Sequence, residues 1–171
     1  ILLHDYPDPD AIASALAFRR LVERRRPECR VDIGFGGIIG RAENRAMVRL
    51  LHAELTPLSD LDLSLYDAFV LVDTQPRTGN NSLPAGVRPT VVIDHHPLRR
   101  ETKAVRFHDV RTRFGATATM MMEYLRAARL RLGGGLAADA GPGAEHPHGG
   151  RRAGDPVLSA RRRHRRVPFA G

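Results

Sequence analysis

Acidic and imidazole side chains follow three short apolar runs in the first hundred residues. After ILL come His4, Asp8 and Asp10; after FVLV comes Asp73; after VVI come Asp94, His95 and His96. Carboxylates mixed with imidazoles suit Mn²⁺, Mg²⁺ or Fe²⁺ better than a metal that prefers thiolates. The set offers more ligands than one ion needs. It therefore predicts two metals about 3.5–4 Å apart, an arrangement that promotes phosphoester hydrolysis.

A purely structural role is the alternative for each of these residues taken alone. An aspartate after a strand commonly caps a helix or forms a turn, which is the simpler explanation for Asp5 or Asp10 in isolation. The spacing favours metal binding, because Asp8 and Asp10 flank Pro9 and point the same way if the loop is extended. Three consecutive polar residues at 94–96, directly after a buried strand, have no evident structural reason.

The elements that must position these residues alternate between strand and helix patterns. Apolar runs predict strands at 1–4, 29–35, 67–74, 88–96 and 105–110. Apolar residues at helical spacing predict helices at 11–26, within 36–51 and at 115–130. Such alternation is typical of an α/β fold with a mainly parallel sheet flanked by helices. In that fold the site lies at the carboxyl edge of the sheet.

This pattern stops at residue 131. Residues 133–171 are rich in glycine, proline and arginine and have few large apolar side chains, so they cannot bury enough surface to offset the entropy of ordering. Residues 131–171 carry 8 basic and 3 acidic side chains, a net of +5 out of +8, which weakens a nucleic-acid interpretation based on charge. We expect a domain at 1–132, incomplete at both ends, and an irregular tail that is disordered or translated out of frame. Of these two explanations, translation out of frame is favoured, and a natural disordered tail is the alternative.

The cysteine content and hydropathy indicate the compartment. The single Cys29 excludes an internal disulfide and a thiolate zinc site, and it fits a reducing environment. No apolar run approaches the ~20 residues of a membrane span. We therefore expect a cytoplasmic protein with no membrane partner. The sequence does not decide between a monomer and a homodimer.

Four segments resemble, in order, the motifs of the DHH phosphoesterase superfamily: HDYPDPDAIASAL, VLVDTQPRTGNNSLP, VVIDHHP and GATATMMMEYL. The resemblance covers residues 1 to about 130 and is greatest to the oligoribonuclease and phosphoadenosine-phosphate phosphatase branch. It implies a phosphoesterase that uses two Mn²⁺ ions, with Mg²⁺ as the alternative, and acts on short oligonucleotides or nucleotide phosphates. Cyclic-dinucleotide phosphodiesterase and single-strand exonuclease specificities stay open as alternatives.

The same resemblance implies a role for each site residue. The implied metal ligands are His4, Asp8, Asp10, Asp73 and His95. Among them Asp73 would bridge the two ions. Asp94 would orient the histidines, and His96 would bind the scissile phosphate of the substrate. The expected catalytic residues are therefore His96 and Asp94.

Two parts of the family pattern are not visible in this sequence: a fourth motif with a further aspartate, and a smaller carboxyl-terminal domain that holds the nucleotide. Asp139 and Asp155 are the acids at roughly the right distance, but no apolar strand precedes either one. Activity is therefore expected to be impaired, and a catalytically inactive domain that still binds metal is the main alternative. A Rossmann-type cofactor module is less favoured, because the glycines of GFGGIIG do not match the G-x-G-x-x-G spacing.

Overall fold

The strands of this domain are short, and every pairing among them is parallel. The computed structural model describes residues 1–130. Its strands are β1 (Gly34–Phe35), β2 (Thr56–Pro57), β3 (Val70–Val72), β4 (Val91–Asp94) and β5 (Phe107–Val110). β1 pairs with β2, and β4 lies between β3 and β5. Leu2 makes parallel bridges to Gly34 and Leu71, which joins the two groups in the order β2-β1-Leu2-β3-β4-β5.

The first predicted strand is reduced to this single bridging residue. The Leu2 amide donates to the Val70 carbonyl at 2.7 Å, and the Leu3 amide donates to the Gly34 carbonyl at 3.0 Å. The chain then leaves the sheet, so His4 is the first residue past its edge. β2 was not predicted, because two residues are too few to show a strand pattern in the sequence.

Three helices pack on one face of the sheet: α1 (Pro9–Arg25), α2 (Ala42–Leu50) and α3 (Thr117–Ala127). α1 begins two residues earlier than its apolar pattern predicts. Pro9 is compatible with the first helical position, where no amide donor is needed, and the Asp8 carboxylate accepts from the Ala11 amide at 2.9 Å. The first metal-ligand candidate on this loop is therefore also a helix cap.

Successive strand residues face opposite sides of the sheet, as the pleat requires. The residues on the helix side are Leu3, Val72 and Ile93; those on the other side are Leu2, Leu71 and Val92. On that second face, Leu58 of a short 3₁₀ helix packs over the sheet among residues from connecting segments. The predicted α/β class with a mainly parallel sheet is confirmed.

The apolar face of α3 packs as its spacing predicts. Met121 and Leu125 are buried and contact Ile93 of β4 in one cluster. Residue 132, the expected end of the domain, lies outside the described residues. The predicted irregular tail and the two candidate acids Asp139 and Asp155 lie outside them too.

Within residues 1–130, no helix combines the length and the apolar character needed to cross a membrane. α1, at 17 residues, carries several arginines and an acid on its surface. The cytoplasmic location and the choice between monomer and homodimer stay predictions.

Candidate metal centre

Asp73 lies at the centre of a cluster of acidic and imidazole groups at the carboxyl edge of the sheet. It directly follows β3 and is only 3% exposed. Its φ of 60° is in the left-handed region, which aspartate enters more readily than most residues other than glycine. Such backbone strain persists where the surrounding structure enforces it, and it concentrates at functional sites. A turn at the end of the strand thus positions this carboxylate.

The two carboxylate oxygens of Asp73 face two different histidines. Oδ2 lies 3.7 Å from Nε2 of His4, which is 3.8 Å from Oδ1 of Asp8. Oδ1 lies 3.6 Å from Nε2 of His95, which is 3.8 Å from Oδ2 of Asp10. The five residues predicted as metal ligands therefore form two groups that share Asp73.

The N···O distances of 3.6–3.8 Å in these groups suit two ligands of one metal ion better than the two partners of a hydrogen bond. Hydrogen bonds between such groups are about 2.7–3.2 Å long. Two ligands held at about 2.1 Å by one octahedral ion lie roughly 3–4.2 Å apart. Ligand atoms of His4, Asp8 and Asp73 lie within 4.8 Å of one another, and so do those of Asp73, His95 and His96. The donor set therefore fits hard divalent cations.

Both ligand histidines are oriented by backbone carbonyl groups. Nδ1 of His4 is 2.8 Å from the carbonyl oxygen of Asp5, and Nδ1 of His95 is 3.2 Å from that of Phe114. A carbonyl oxygen only accepts, so each Nδ1 carries the proton and donates it. In the neutral rings Nε2 then keeps its lone pair, and Nε2 is the atom that faces Asp73 in both cases.

Asp10 connects the cluster to α3. Its Oδ2 and Oδ1 accept hydrogen bonds from the backbone amides of Thr117 and Ala118, each at 2.8 Å. A residue in the first turn of α1 thus caps the amino end of another helix. The Thr117 hydroxyl also donates to Oδ1 of Asp73 at 2.7 Å. Thr117 was missed in the sequence, although the glycine at 115 just before a helical pattern marks the turn that presents it.

Asp94 lies beneath the cluster and contacts both neighbouring histidines. It is 1% exposed. Its Oδ1 accepts from the backbone amide of His95 at 2.8 Å and from Nδ1 of His96 at 2.9 Å. Because Nδ1 is engaged, Nε2 of His96 is the ring nitrogen left to contact another group. The His96 side chain is 56% exposed, so a bound molecule can reach it.

Gln75 is a buried residue that sequence reasoning missed. Its Nε2 donates to Oδ2 of Asp94 at 2.6 Å and to the Pro97 carbonyl at 3.1 Å. Its Oε1 accepts from the Arg99 amide and the Thr102 hydroxyl, both at 2.8 Å. One amide thereby fixes Asp94 against the loop that follows β4. A lone glutamine after a strand carries no sequence signal of such a role.

The electrostatics of the cluster follow from burial among like charges. Burial raises the pKa of Asp73 to about 6, with the Thr117 hydrogen bond opposing the shift. Further increases come from the charges of Asp10, Asp94 and Asp8. Burial acts to lower the pKa of His96, but the hydrogen bond and charge of Asp94 outweigh it, so that pKa is raised. A bound cation would relieve the repulsion among these carboxylates.

An open cavity of about 470 Å³ leads to the cluster. Its lining residues are His4, Asp8, Asp10, Asp73, Asn80, His95, His96, Gly115 and Ala116. Every site residue predicted from the sequence lies on this cavity except Asp94, which lies beneath it. The arrangement gives a small anionic molecule access to both ligand groups at once.

Carboxylates and histidines at the carboxyl edge of a parallel α/β sheet define a domain with a candidate site for divalent cations. The family model for the DHH family, N-terminal domain, matches residues 1–139. The chain is also 40% identical over 126 residues to an uncharacterized protein of Methanocaldococcus jannaschii. That similarity covers 73% of this chain and 25% of the archaeal protein, so the chain spans about a quarter of its curated relative. The chain belongs to the DHH family.

Proposed function

We propose that this chain is the catalytic domain of a phosphoesterase that uses two Mn²⁺ ions to hydrolyse short oligonucleotides or nucleotide phosphates. Its nearest functional likeness would be the oligoribonuclease and phosphoadenosine-phosphate phosphatase branch of the family. The observation that carries the proposal is Asp73, whose two oxygens face separate ligand groups. Mg²⁺ is the alternative metal.

Two sets of residues would hold the ions. One set is His4, Asp8 and Asp73; the other is Asp10, Asp73 and His95. Bound there, such ions polarise a phosphoryl oxygen and neutralise the charge that develops on it. The Thr117 hydroxyl and the backbone amides at the start of α3 keep the two central carboxylates in place while substrate binds.

His96 would contact the scissile phosphate. Its raised pKa favours the imidazolium form, a cation that attracts phosphate and donates a proton through Nε2. Asp94 fixes the ring through Nδ1, and Gln75 fixes Asp94. These contacts would hold Nε2 at the cavity and give His96 and Asp94 their catalytic roles.

A domain that binds metal without turnover is the second candidate. Each of the two ligand groups proposed above draws on only three residues within 1–130, whereas Mn²⁺ and Mg²⁺ are usually six-coordinate. The other positions must come from water, substrate or further protein ligands. The archaeal relative is about four times as long as the region it shares with this chain. Parts of such proteins beyond this domain would then contribute to substrate choice together with the domain itself.

The test combines calorimetric Mn²⁺ titration with release of mononucleotide from a dinucleotide. Wild type should bind two ions and turn over. His96→Ala should keep both ions and lose on the order of 10²–10⁴-fold in turnover, as expected for a proton donor. His108→Ala is the control, because His108 is exposed on β5 and its Nδ1 faces only the Val105 carbonyl.

Three outcomes separate the candidates. Two bound ions without turnover would favour the inactive domain. Loss of one ion in His96→Ala would make His96 a ligand and not a phosphate-binding residue. A wild-type protein that binds no Mn²⁺ or Mg²⁺ would contradict both candidates.

A further inference from the structure

A second cavity, of about 390 Å³, opens beside the candidate metal centre. Its lining includes His4 and Asp8, which also belong to one of the two ligand groups, together with Tyr6, Ile38, Arg41 and Asn44. A molecule in this cavity would therefore lie next to any phosphate held at the metal centre.

Tyr6 presents its aromatic ring to solvent at this cavity. The residue is 66% exposed, although it lies only two positions from His4 and two from Asp8. Its φ is 57°, an unusual backbone conformation for a bulky residue. A hydrogen bond from its amide to the Gly36 carbonyl, at 3.1 Å, helps to hold it. A strained backbone and an exposed aromatic ring both lower the stability of the fold, and a role in binding would explain why they are present.

Gly37 supports one face of this ring. A Cβ atom at Gly37 would lie 2.7, 2.9 and 2.9 Å from three ring atoms of Tyr6, so the backbone passes closer than any side chain would allow. The similar distances to three ring atoms show that the contact is with the face of the ring. The opposite face is left for a planar partner.

The rest of the cavity supplies an apolar wall and a positive charge. Ile38 is 65% exposed and supplies an apolar wall. Arg41 is exposed at the start of α2 and supplies a cation. Asn44 is buried and donates to the Pro7 carbonyl at 3.0 Å, which ties α2 to the loop that carries Tyr6. An aromatic platform beside a cationic group is the usual way in which proteins bind bases without reading their sequence.

We infer that this cavity is a nucleoside subsite, in which the base of the nucleotide at the metal centre stacks on Tyr6 and Arg41 contacts a phosphate. The inference rests on the proposed function and assigns the residues that bind the base of its substrates, so sugar phosphates without a base should bind poorly. Stacking uses a π-face that every base has, so little preference among bases is expected.

The test compares AMP with ribose 5-phosphate by calorimetry on the Mn²⁺-loaded chain, which needs no turnover. Wild type should bind AMP about tenfold or more tightly than ribose 5-phosphate. Tyr6→Ala should abolish that preference, and Tyr6→Phe, which keeps the ring, should retain it. Leu65→Ala is the control, since it removes an equally exposed apolar side chain elsewhere and should leave the preference intact.

Equal affinity of wild type for the two ligands, or no binding of AMP, would overturn the inference. An equal weakening of both ligands in Tyr6→Ala, with Tyr6→Phe behaving the same way, would also overturn it, because the effect would then not involve the ring. A clear AMP preference in a protein without turnover would keep the subsite and reject hydrolysis. Turnover of a dinucleotide with a KM that Tyr6→Ala does not change would support hydrolysis and reject the nucleoside subsite.

Discussion

Asp73, directly after β3, and Asp109, within β5, have their negative charges balanced in opposite ways. Asp109 accepts two hydrogen bonds from Arg111, at 2.7 and 2.6 Å, and one from the Tyr124 hydroxyl at 2.6 Å. Burial acts to raise its pKa, but these partners outweigh it and the pKa is lowered. Asp73 has the Thr117 hydroxyl and two histidines at 3.6–3.7 Å, and its pKa is raised to about 6.

The difference separates a structural cluster from a cluster suited to a cation. Arg111 also bonds Glu123 of α3 at 2.6 Å, so the Asp109 cluster joins β5 to α3 with its own positive charge. The Asp73 cluster brings several carboxylates together, and the ion-pair partners found for Asp8, Asp10 and Asp73 within residues 1–130 are histidines. A divalent cation would supply there what an arginine supplies at Asp109.

Removing the shared carboxylate should have the largest effect. Asp73→Ala takes one ligand from both groups, so Mn²⁺ binding should be lost at both sites and turnover should fall at least 10³-fold. Asp109→Ala is the matched control and should keep both ions. Calorimetric titration measures each. If Asp73→Ala still bound two ions with unchanged affinity, Asp73 would not be a shared metal ligand and would not differ from Asp109 in this respect.

The pH dependence of stability should differ between the two aspartates. An acid whose pKa is raised by folding contributes stability below its unfolded pKa and loses it as pH rises through the folded value. Without metal, Asp73 should therefore cost on the order of 3 kcal/mol of unfolding free energy as pH rises from 3.8 through about 6. Asp109 acts in the opposite sense, since its contribution is present above 3.8 and is lost as pH falls through its lowered pKa.

Urea unfolding of metal-free protein at a series of pH values measures this. Asp73→Asn should flatten the decline between pH 4 and 7 and be more stable than wild type at pH 7. Added Mn²⁺ should stabilise wild type and not the variant. A decline of the same size in Asp73→Asn would assign it to other groups.

Variants of Gln75 test whether the hydrogen bonds that hold Asp94 affect turnover without affecting metal binding. Gln75→Leu should cost about 1–3 kcal/mol, because it leaves buried groups of Asp94 and Thr102 without a partner. Turnover should fall about tenfold with both ions retained. Thr102→Val removes one bond of the network without touching Asp94, so it should lower stability less and spare turnover. Loss of Mn²⁺ in Gln75→Leu would show that support and ligands form one unit.

The smallest effect is expected on the structural side of the comparison. Tyr124→Phe removes one hydrogen bond to Asp109 and leaves Arg111 in place, so the unfolding free energy should fall by about 0.5–1.5 kcal/mol. Thermal or urea unfolding checks this, with Mn²⁺ affinity as the control measurement. A change in Mn²⁺ affinity would mean that the two clusters are coupled through α3.

The sequence predicts the α/β class well because buried parallel strands appear as short continuous apolar runs and amphipathic helices as apolar residues at helical spacing. It also groups the candidate ligands at strand ends, although their individual roles stay predictions. It does not predict the contact of Asp10 with Thr117, since the two are 107 positions apart. Nor does it predict the left-handed backbone of Asp73 or the burial of Gln75, because both depend on tertiary packing and not on local pattern.

The bond between Asp10 and the start of α3 also bears on how the domain folds. It closes a loop that spans most of the described chain, and closing such a loop costs entropy before any distant contact compensates for it. Contacts between residues this far apart slow folding, and parallel sheets share this property. A partly folded chain in which α3 has not yet docked lacks the hydrogen bonds that hold Asp10 and Asp73 in place. Full metal affinity should therefore be reached only once α3 has docked on the sheet.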